Sequence, residues 1–410
     1  MSTVVAVTQF ACSTSSGSQS ITTSDLGGLT PSTALIFMAK ATTNGSLADE
    51  AEINVNVIDD DGDAWTLSSW SEHDVGRTDT YASSNAGRAA EFYEGGNLPY
   101  ATFTGYITNG IQINWVNPPA AAYLGTVVFF AGTDVSSELL SQNVSDGGSP
   151  YTQETDFESS FILCFAPVSM EYGQNQSEDD WSLHFGFCIN DGSATQAFVR
   201  WFENDNTSDG GMNIRGQPST YLGGHTTGYV YAHNFQSTSH QVSTSDGSGD
   251  YGELPMKIGS SLSADITIVD TPTSIGTQSI TSLGYKPQLV LIVGTYADSN
   301  FGSSDILLGA GSVGAADANG NESCVNWQSE YGAATTNTSC GADSKIINMP
   351  QDDGTTGIVA TLSSLDTSGF TLNYSSVDTG TSRKLLVFTI EEEGEPPAGG
   401  THPWFYRRTQ

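Results

Sequence analysis

The chain has 410 residues, and its 46 Asp and Glu against 12 Lys and Arg give a formal net charge of −34. A direct nucleic-acid binder needs a basic stripe to neutralise phosphates, so that class is excluded. No apolar run approaches the ~18 residues of a membrane-spanning helix. Hydrophobic residues make up 37 % of the chain, with 45 glycines, which is enough to build several buried cores.

The charge itself indicates an unusual solvent. Such an excess of acid repels itself at low ionic strength. At molar salt the Debye length falls to about 3 Å, and most of that repulsion disappears. We therefore expect a protein adapted to very high salt, with cations bound at its surface at most and no cofactor.

Predicted strands follow one another along the chain with few interruptions. Four segments alternate apolar and polar residues with period two: Ile53–Val57, Ile111–Trp115, Ile266–Val269 and Phe370–Tyr374. Four continuous apolar runs predict central strands buried on both faces: 34–39, 161–166, 289–293 and 385–390. No helical stripe exceeds about two turns. The fold class predicted is all-β, built from antiparallel sandwiches of the jelly-roll kind.

An internal repeat organises these strands. The segment GLTPSTALIF (Gly28–Phe37) matches GYKPQLVLIV (Gly284–Val293), and Ala101–Trp115 aligns without a gap to Ala360–Tyr374. The middle third is a more diverged copy. We predict three tandem sandwich domains at 1–135, 136–270 and 271–391, followed by an acidic Pro/Gly tether and tail at 392–410.

The acidic loop after the strand at Ile53 has two interpretations. Asp59, Asp61 and Asp63 could ligate a hard cation, although the glycine comes too early for an EF-hand. Asp/Asn-Gly turns stand at the same place in the other two copies, so a tight hairpin turn is the favoured interpretation.

A tryptophan followed by an acid recurs soon after each of these turns. In the first copy, Trp70 and Glu72 could form a sugar-binding platform, while a core tryptophan beside an exposed acid is the favoured alternative. The recurrence aligns Trp70 with Trp201 and Trp327. We find no catalytic Ser/His/Asp set, zinc motif or assignable carboxylate pair, so no enzymatic activity is expected.

Five cysteines are present, and none has metal-binding spacing. Pairing stays open for Cys164 with Cys188 and for Cys324 with Cys340. Residues 1–18 have neither a basic start nor an apolar stretch, so we expect no secretory signal.

The tail differs in chemistry from the rest of the chain. Large apolar and basic groups follow the tether, and exposed aromatic rings on an arm are costly unless they dock. We predict an anchor to a partner or a neighbouring subunit, formed by Trp404, Phe405, Tyr406, Arg407 and Arg408.

At GLTPSTALIF, SITSLGYKPQLVLIV and SGFTLN (Ser368–Asn373), the sequence resembles repeated domains of virion-surface proteins of tailed viruses. The resemblance covers the first and last thirds and extends only loosely to the middle. With the acidic composition, which resembles that of haloarchaeal proteins, it implies a haloarchaeal tailed virus. The family has no catalytic residues to transfer.

The resemblance implies a structural virion protein such as a head turret or decoration protein, assembled in the host cytoplasm. Expected partners are other virion proteins and further copies of this chain, with contact to a host glycan or glycoprotein. The alternative is a tail or tail-fibre receptor-binding protein with a lectin-like or glycan-cleaving site. A cellular halophilic surface protein is a weaker third possibility.

Overall fold

The computed structural model describes residues 3–94, 96–144, 150–166, 176–178, 181–191, 194–203, 213–217, 223–224, 229–244, 249–259, 262–297, 309–330, 335–351 and 357–392. Within these ranges the chain is all-β, as predicted: it forms 33 strands, one 3-10 turn at Ser24–Leu26, and no α-helix. Every described strand ladder is antiparallel.

The strands lie along the chain in three groups. The first comprises β1 (Val4–Ala11), β2 (Gly17–Thr22), β3 (Pro31–Ala39), β4 (Leu47–Asp49), β5 (Ala51–Ile58), β6 (Ala64–Ser71), β7 (Thr80–Ala86), β8 (Ala90–Glu91), β9 (Tyr100–Ile107), β10 (Gly110–Asn117) and β11 (Leu124–Ala131). The second comprises β12 (Ser136–Ser137), β13 (Leu140–Val144), β14 (Tyr151–Glu154), β15 (Phe161–Ala166), β16 (Gln176–Glu178), β17 (Trp181–Ile189), β18 (Gln196–Glu203), β19 (Asn213–Gln217), β20 (Gly223–Gly224), β21 (Tyr229–Gln236), β22 (Ser239–Thr244) and β23 (Gly249–Lys257). The third comprises β24 (Ala264–Asp270), β25 (Gly276–Ile280), β26 (Pro287–Thr295), β27 (Gly309–Asp317), β28 (Glu322–Ser329), β29 (Thr338–Asp343), β30 (Ile347–Met349), β31 (Ile358–Asp366), β32 (Gly369–Ser376) and β33 (Lys384–Glu391).

The strands form three pairs of sheets, each with one large and one small sheet. The first pair has the orders β1-β11-β3-β5-β6-β7-β16 and β2-β10-β9-β8. The second has β12-β23-β15-β17-β18-β19, with β13 also on β23, and β14-β22-β21-β20. The third has β24-β33-β26-β27-β28-β29-β4 and β25-β32-β31-β30. The four apolar runs become β3, β15, β26 and β33, all flanked on both sides, which confirms their predicted central position.

The three large sheets also pack on one another around a shared core. Phe37 of the first pair lies 5.9 Å from Phe185 of the second, measured between ring centroids. Phe161 of the second lies 4.9 Å from Phe388 of the third. Each large sheet is therefore covered on both faces, by its own small sheet and by the other large sheets.

This double coverage changes the meaning of the alternating pattern. In β5, Ile53, Val55 and Val57 face the shared core, and the polar residues between them face the gap above the small sheet. Asn54 and Asn56 are both fully buried there. Period two therefore separates two buried faces in this strand, instead of a buried face from a solvent-exposed one.

Two short strands join sheets of neighbouring pairs. β4 leaves the first pair and pairs with β29 of the third, with Ala48 opposite Cys340. β16 leaves the second pair and pairs with β7 of the first, with Ser177 opposite Ser83. In addition, β24, which precedes the predicted boundary at 270/271, pairs with β33 in the third large sheet.

The predicted alignment of Trp70 with Trp201 and Trp327 is wrong by one residue, because Trp70 lies on the other face of its strand. Trp201 and Trp327 lie in the shared core, with ring centroids 5.0 Å apart. Trp65 and Leu67 occupy that face in β6, so Trp70 points to the opposite face. A slip of one residue along a strand exchanges its two faces.

Candidate functional site

The loop at Asp59 is a hairpin turn in which backbone amides donate hydrogen bonds to both carboxylate oxygens of Asp59. The amides of Asp59 and Gly62 donate to the carbonyls of Asp63 and Asp59, at 3.0 and 3.1 Å. Asp59 Oδ1 accepts from the Asp63 amide at 2.8 Å, and Oδ2 accepts from the Leu139 amide of the second pair at 2.9 Å. Asp61 and Asp63 are exposed. The geometry fits the favoured turn interpretation.

The same turn recurs in the third pair. The Asp317 amide donates to the Asn321 carbonyl, and the Gly320 amide donates to the Asp317 carbonyl. Asp317 Oδ2 accepts from the Val7 amide of the first pair at 2.8 Å. Among the described residues, no group of three or more His, Cys, Asp or Glu side chains could hold a metal ion. These aspartates therefore tie neighbouring sheet pairs together through backbone amides.

Trp70 is 5 % exposed, so its own ring offers no open platform. Its Nε1 donates to Glu50 Oε2 at 3.1 Å. The ring of Tyr93 lies 4.6 Å from that of Trp70, and Tyr81 stacks on Tyr93 at the same centroid distance. Tyr81 and Tyr93 are partly exposed, so they form the accessible part of this aromatic cluster.

Charged groups surround the aromatic cluster. Lys40 Nζ donates to Glu50 Oε2 at 2.5 Å and to the Tyr93 carbonyl at 3.2 Å. Glu52 is fully buried and accepts from the Tyr93 amide at 2.6 Å. Burial raises the pKa of Glu52 to about 8, and the nearby Lys40 ammonium opposes that rise.

Glu72 lies at the junction of the first and third pairs. Its carbonyl accepts from Thr336 Oγ1 at 2.7 Å, and its amide donates to the Asp79 carbonyl. Desolvation raises the pKa of Glu72, and the adjacent Asp79 carboxyl raises it further. Trp70 and Glu72 both lie near Glu50, but the Trp70 ring is buried, so these two side chains alone do not form the open platform that a sugar requires.

Glu203 is a buried acid where all three large sheets meet. Its Oε1 accepts from Ser329 Oγ of the third pair at 2.8 Å, beside the contact between Trp201 and Trp327. Burial raises the pKa of Glu203, and the hydroxyls of Ser329 and of Ser71 from the first pair oppose the rise. One side chain from each sheet pair thus meets at this carboxylate.

The gap between the two sheets of the second pair is polar. His240 Nε2 lies 3.0 Å from Glu253 Oε2, and Cys164 Sγ lies 3.4 Å from His184 Nε2, all in buried side chains. All five cysteines are free and buried, which settles the open pairings. Burial raises the pKa of the Cys164 thiol well above its usual value, so it is not an activated nucleophile.

The predicted anchor residues Trp404, Phe405, Tyr406, Arg407 and Arg408 lie outside the described residues. Sequence reasoning did not find Lys40, Glu52, Tyr81 or Tyr93. The Glu52 position is signalled only by an acid inside an apolar strand pattern. The tyrosines carry no signal, because chain segments remote in sequence bring them to Trp70.

Comparison with known protein families, with curated proteins and with solved structures finds no match to this chain. Within the described segments, no helix is long and apolar enough to cross a membrane.

Proposed function

We propose that this protein is a structural component of a virus particle, built from three tandem copies of one β-sandwich domain and forming a rigid surface projection such as a head turret or decoration. The observation that carries the proposal is the interlocking of the three sheet pairs. A shared aromatic core and two strands donated between pairs resist separation of the domains, which suits a protein that must stay folded outside cells.

Matching contacts support the repeat. Gln19 Nε2 donates to the Ala11 carbonyl at 2.7 Å, and Gln278 Nε2 donates to the Asp270 carbonyl at 2.8 Å. The first and third large sheets have the same strand order: β1-β11-β3 in the first corresponds to β24-β33-β26 in the third.

A second match is steric. A Cβ at Gly110 would lie 2.0 Å from the Ile21 carbonyl oxygen, and one at Gly369 would lie 1.8 Å from that of Ile280. The repeated glycine is thus required by the same close approach of two strands in both copies.

The net charge of the chain supports a high-salt environment for the proposed virus. A net charge of −34 suits molar salt, and together with the resemblance of the strand motifs it favours a haloarchaeal tailed virus. The proposal places the protein on the virion after assembly in the host cytoplasm, among other virion proteins and copies of itself. It assigns no catalysis.

Removal of residues 394–410 tests the proposed anchor. We expect light scattering in molar salt to give a discrete oligomer for the full chain and a monomer for the truncated chain, because the aromatic side chains provide the docking energy. A variant with Trp404, Phe405 and Tyr406 changed to Ala should match the truncation. A full-length chain that is monomeric at all concentrations would contradict self-assembly through the tail.

A second candidate function is glycan binding, favoured by the partly exposed tyrosine stack beside acids. Sugar rings pack on aromatic faces, while Glu50 and Glu72 could accept hydrogen bonds from hydroxyls. We expect Tyr81→Ala and Tyr93→Ala to lower affinity for a host surface glycan at least tenfold in a glycan-array and titration assay. Tyr151→Ala, at a tyrosine that is 49 % exposed in the second pair, is the matched control. Binding unchanged by the first two variants would exclude this site.

A further inference from the structure

Three polar side chains meet in the gap between the two sheets of the first pair. Glu52 and Asn54 are two apart in β5 and so share a face, and Ser68 of β6 lies directly opposite Asn54. All three are fully buried. They point into the gap because the alternate residues of these strands face the shared core.

Several polar atoms of this group have no hydrogen-bond partner in the described part of the protein. They are Glu52 Oε2, the Asn54 amide oxygen and Ser68 Oγ, whereas the Asn54 amide NH₂ lies close enough to Glu52 to favour its ionised form. A buried polar atom without a partner costs about 1–3 kcal/mol. Three neighbouring residues with this cost indicate that a further species occupies the gap.

We propose that Glu52, Asn54 and Ser68 bind a monovalent alkali cation, Na⁺ or K⁺, between the two sheets of the first pair. Carboxylate, amide and hydroxyl oxygens are hard ligands of the kind that such cations take. The three residues supply a single carboxylate, which balances one positive charge, whereas Ca²⁺ sites draw on more carboxylates.

The surrounding charge favours a cation over a neutral molecule. Lys40 is the nearest ammonium, and its Nζ is already held by Glu50 and the Tyr93 carbonyl. Glu50 and Glu94 are both near Lys40, so the acidic groups here outnumber this one ammonium even when Glu52 is protonated. A bound cation would also stabilise the ionised form of Glu52, which burial opposes.

The third pair provides an internal comparison. Ser312 and Asn326 are opposite each other in β27 and β28, as Asn54 and Ser68 are in β5 and β6. Both polar atoms of the Asn326 amide and Gln328 Oε1 also lack partners, while the Ser312 hydroxyl lies beside the Cys324 thiol. Ala310 stands where the first pair has Glu52, and the carboxylate on this face, Asp343 opposite Cys324, is already held by Lys345 and Asn348, so this gap should hold water.

Rubidium locates the cation directly. Crystals of the full chain grown in molar RbCl should give an anomalous peak beside the oxygens of Glu52, Asn54 and Ser68, and none beside Ser312 and Asn326. Peaks in both gaps, or in neither, would overturn the proposal, since both results leave Glu52 without a special role.

Stability in different salts provides a second readout on the isosteric variant Glu52→Gln. At equal concentration, NaCl or KCl should raise the Tm of the wild type by about 2–4 °C over choline chloride. Choline is a quaternary ammonium whose methyl groups prevent close ligation by oxygens, but it screens surface charge. The difference should disappear in Glu52→Gln and persist in Asn326→Ala. An equal Tm difference between the alkali salts and choline chloride in wild type and Glu52→Gln would overturn the proposal.

Discussion

Gly252→Ala is expected to lower the free energy of unfolding by ~3 kcal/mol or to prevent cooperative folding. A Cβ at Gly252 in the second pair would lie 1.8 Å from Cζ3 of Trp65 in the first pair. Trp65 is fully buried in the shared core, and its Nε1 donates to Ser84 Oγ at 2.7 Å, so the ring cannot move aside cheaply. Overpacking of this kind costs 1–3 kcal/mol and occasionally more.

Chemical denaturation in molar salt provides the measurement, and a double variant makes it specific. Trp65→Leu frees space, so Gly252→Ala should cost much less in that background, with a coupling energy of ~1 kcal/mol or more. Gly76→Ala is the control, because a Cβ there meets nothing within 4 Å. Additive effects of Gly252→Ala and Trp65→Leu would mean that the two sheet pairs do not pack as described.

Asp59→Ala is expected to lower the free energy of unfolding by ~2–4 kcal/mol at neutral pH. The change leaves the Asp63 and Leu139 amides without acceptors, one inside the turn and the other in the second pair. Asp317→Ala should act in the same way by releasing the Val7 amide of the first pair. Asp61→Ala, at an exposed position in the same turn, should stay within ~0.5 kcal/mol of the wild type.

The pH dependence of this difference follows from the pKa of Asp59, which burial raises to about 6. The folded state then holds the proton more tightly than the unfolded state, so Asp59 contributes most to stability at low pH. The difference in the free energy of unfolding between wild type and Asp59→Ala should be largest near pH 4 and should decrease as the pH rises through 6. Denaturation curves at pH 4.5 and pH 7.5 measure it.

Asp61→Ala and Asp63→Ala distinguish the turn interpretation of this loop from the cation interpretation. If the loop is only a turn, neither EDTA nor Ca²⁺ should change the stability of the wild type or of these two variants. A cation site predicts a Ca²⁺-dependent rise in Tm that both of these variants abolish.

The comparison of Trp70 with Trp201 marks the limit of sequence reasoning about the candidate site. Both tryptophans stand in a strand and precede an acid, so a pattern of residue types aligns them. The register of β6 places Trp70 beside Tyr93 and Glu50, whereas Trp201 packs on Trp327 in the shared core. Side-chain direction follows pairing partners, which a motif does not contain.

What the sequence alone determined is local in origin. Alternation, apolar runs and Asp/Asn-Gly turns specify antiparallel strands, because period-two burial and tight turns act over a few residues. The hairpin turns at Asp59 and Asp317 and the central positions of β3 and β33 follow from such short-range patterns.

Only the tertiary structure decided how the sheets cover one another. The burial of Glu52, Asn54 and Glu203 depends on sheets from distant parts of the chain, and so does the need for glycine at position 252. In an isolated strand these polar residues would face water. The second layer of packing removes that water, and their unpaired oxygens then become the chemically distinctive feature of the molecule.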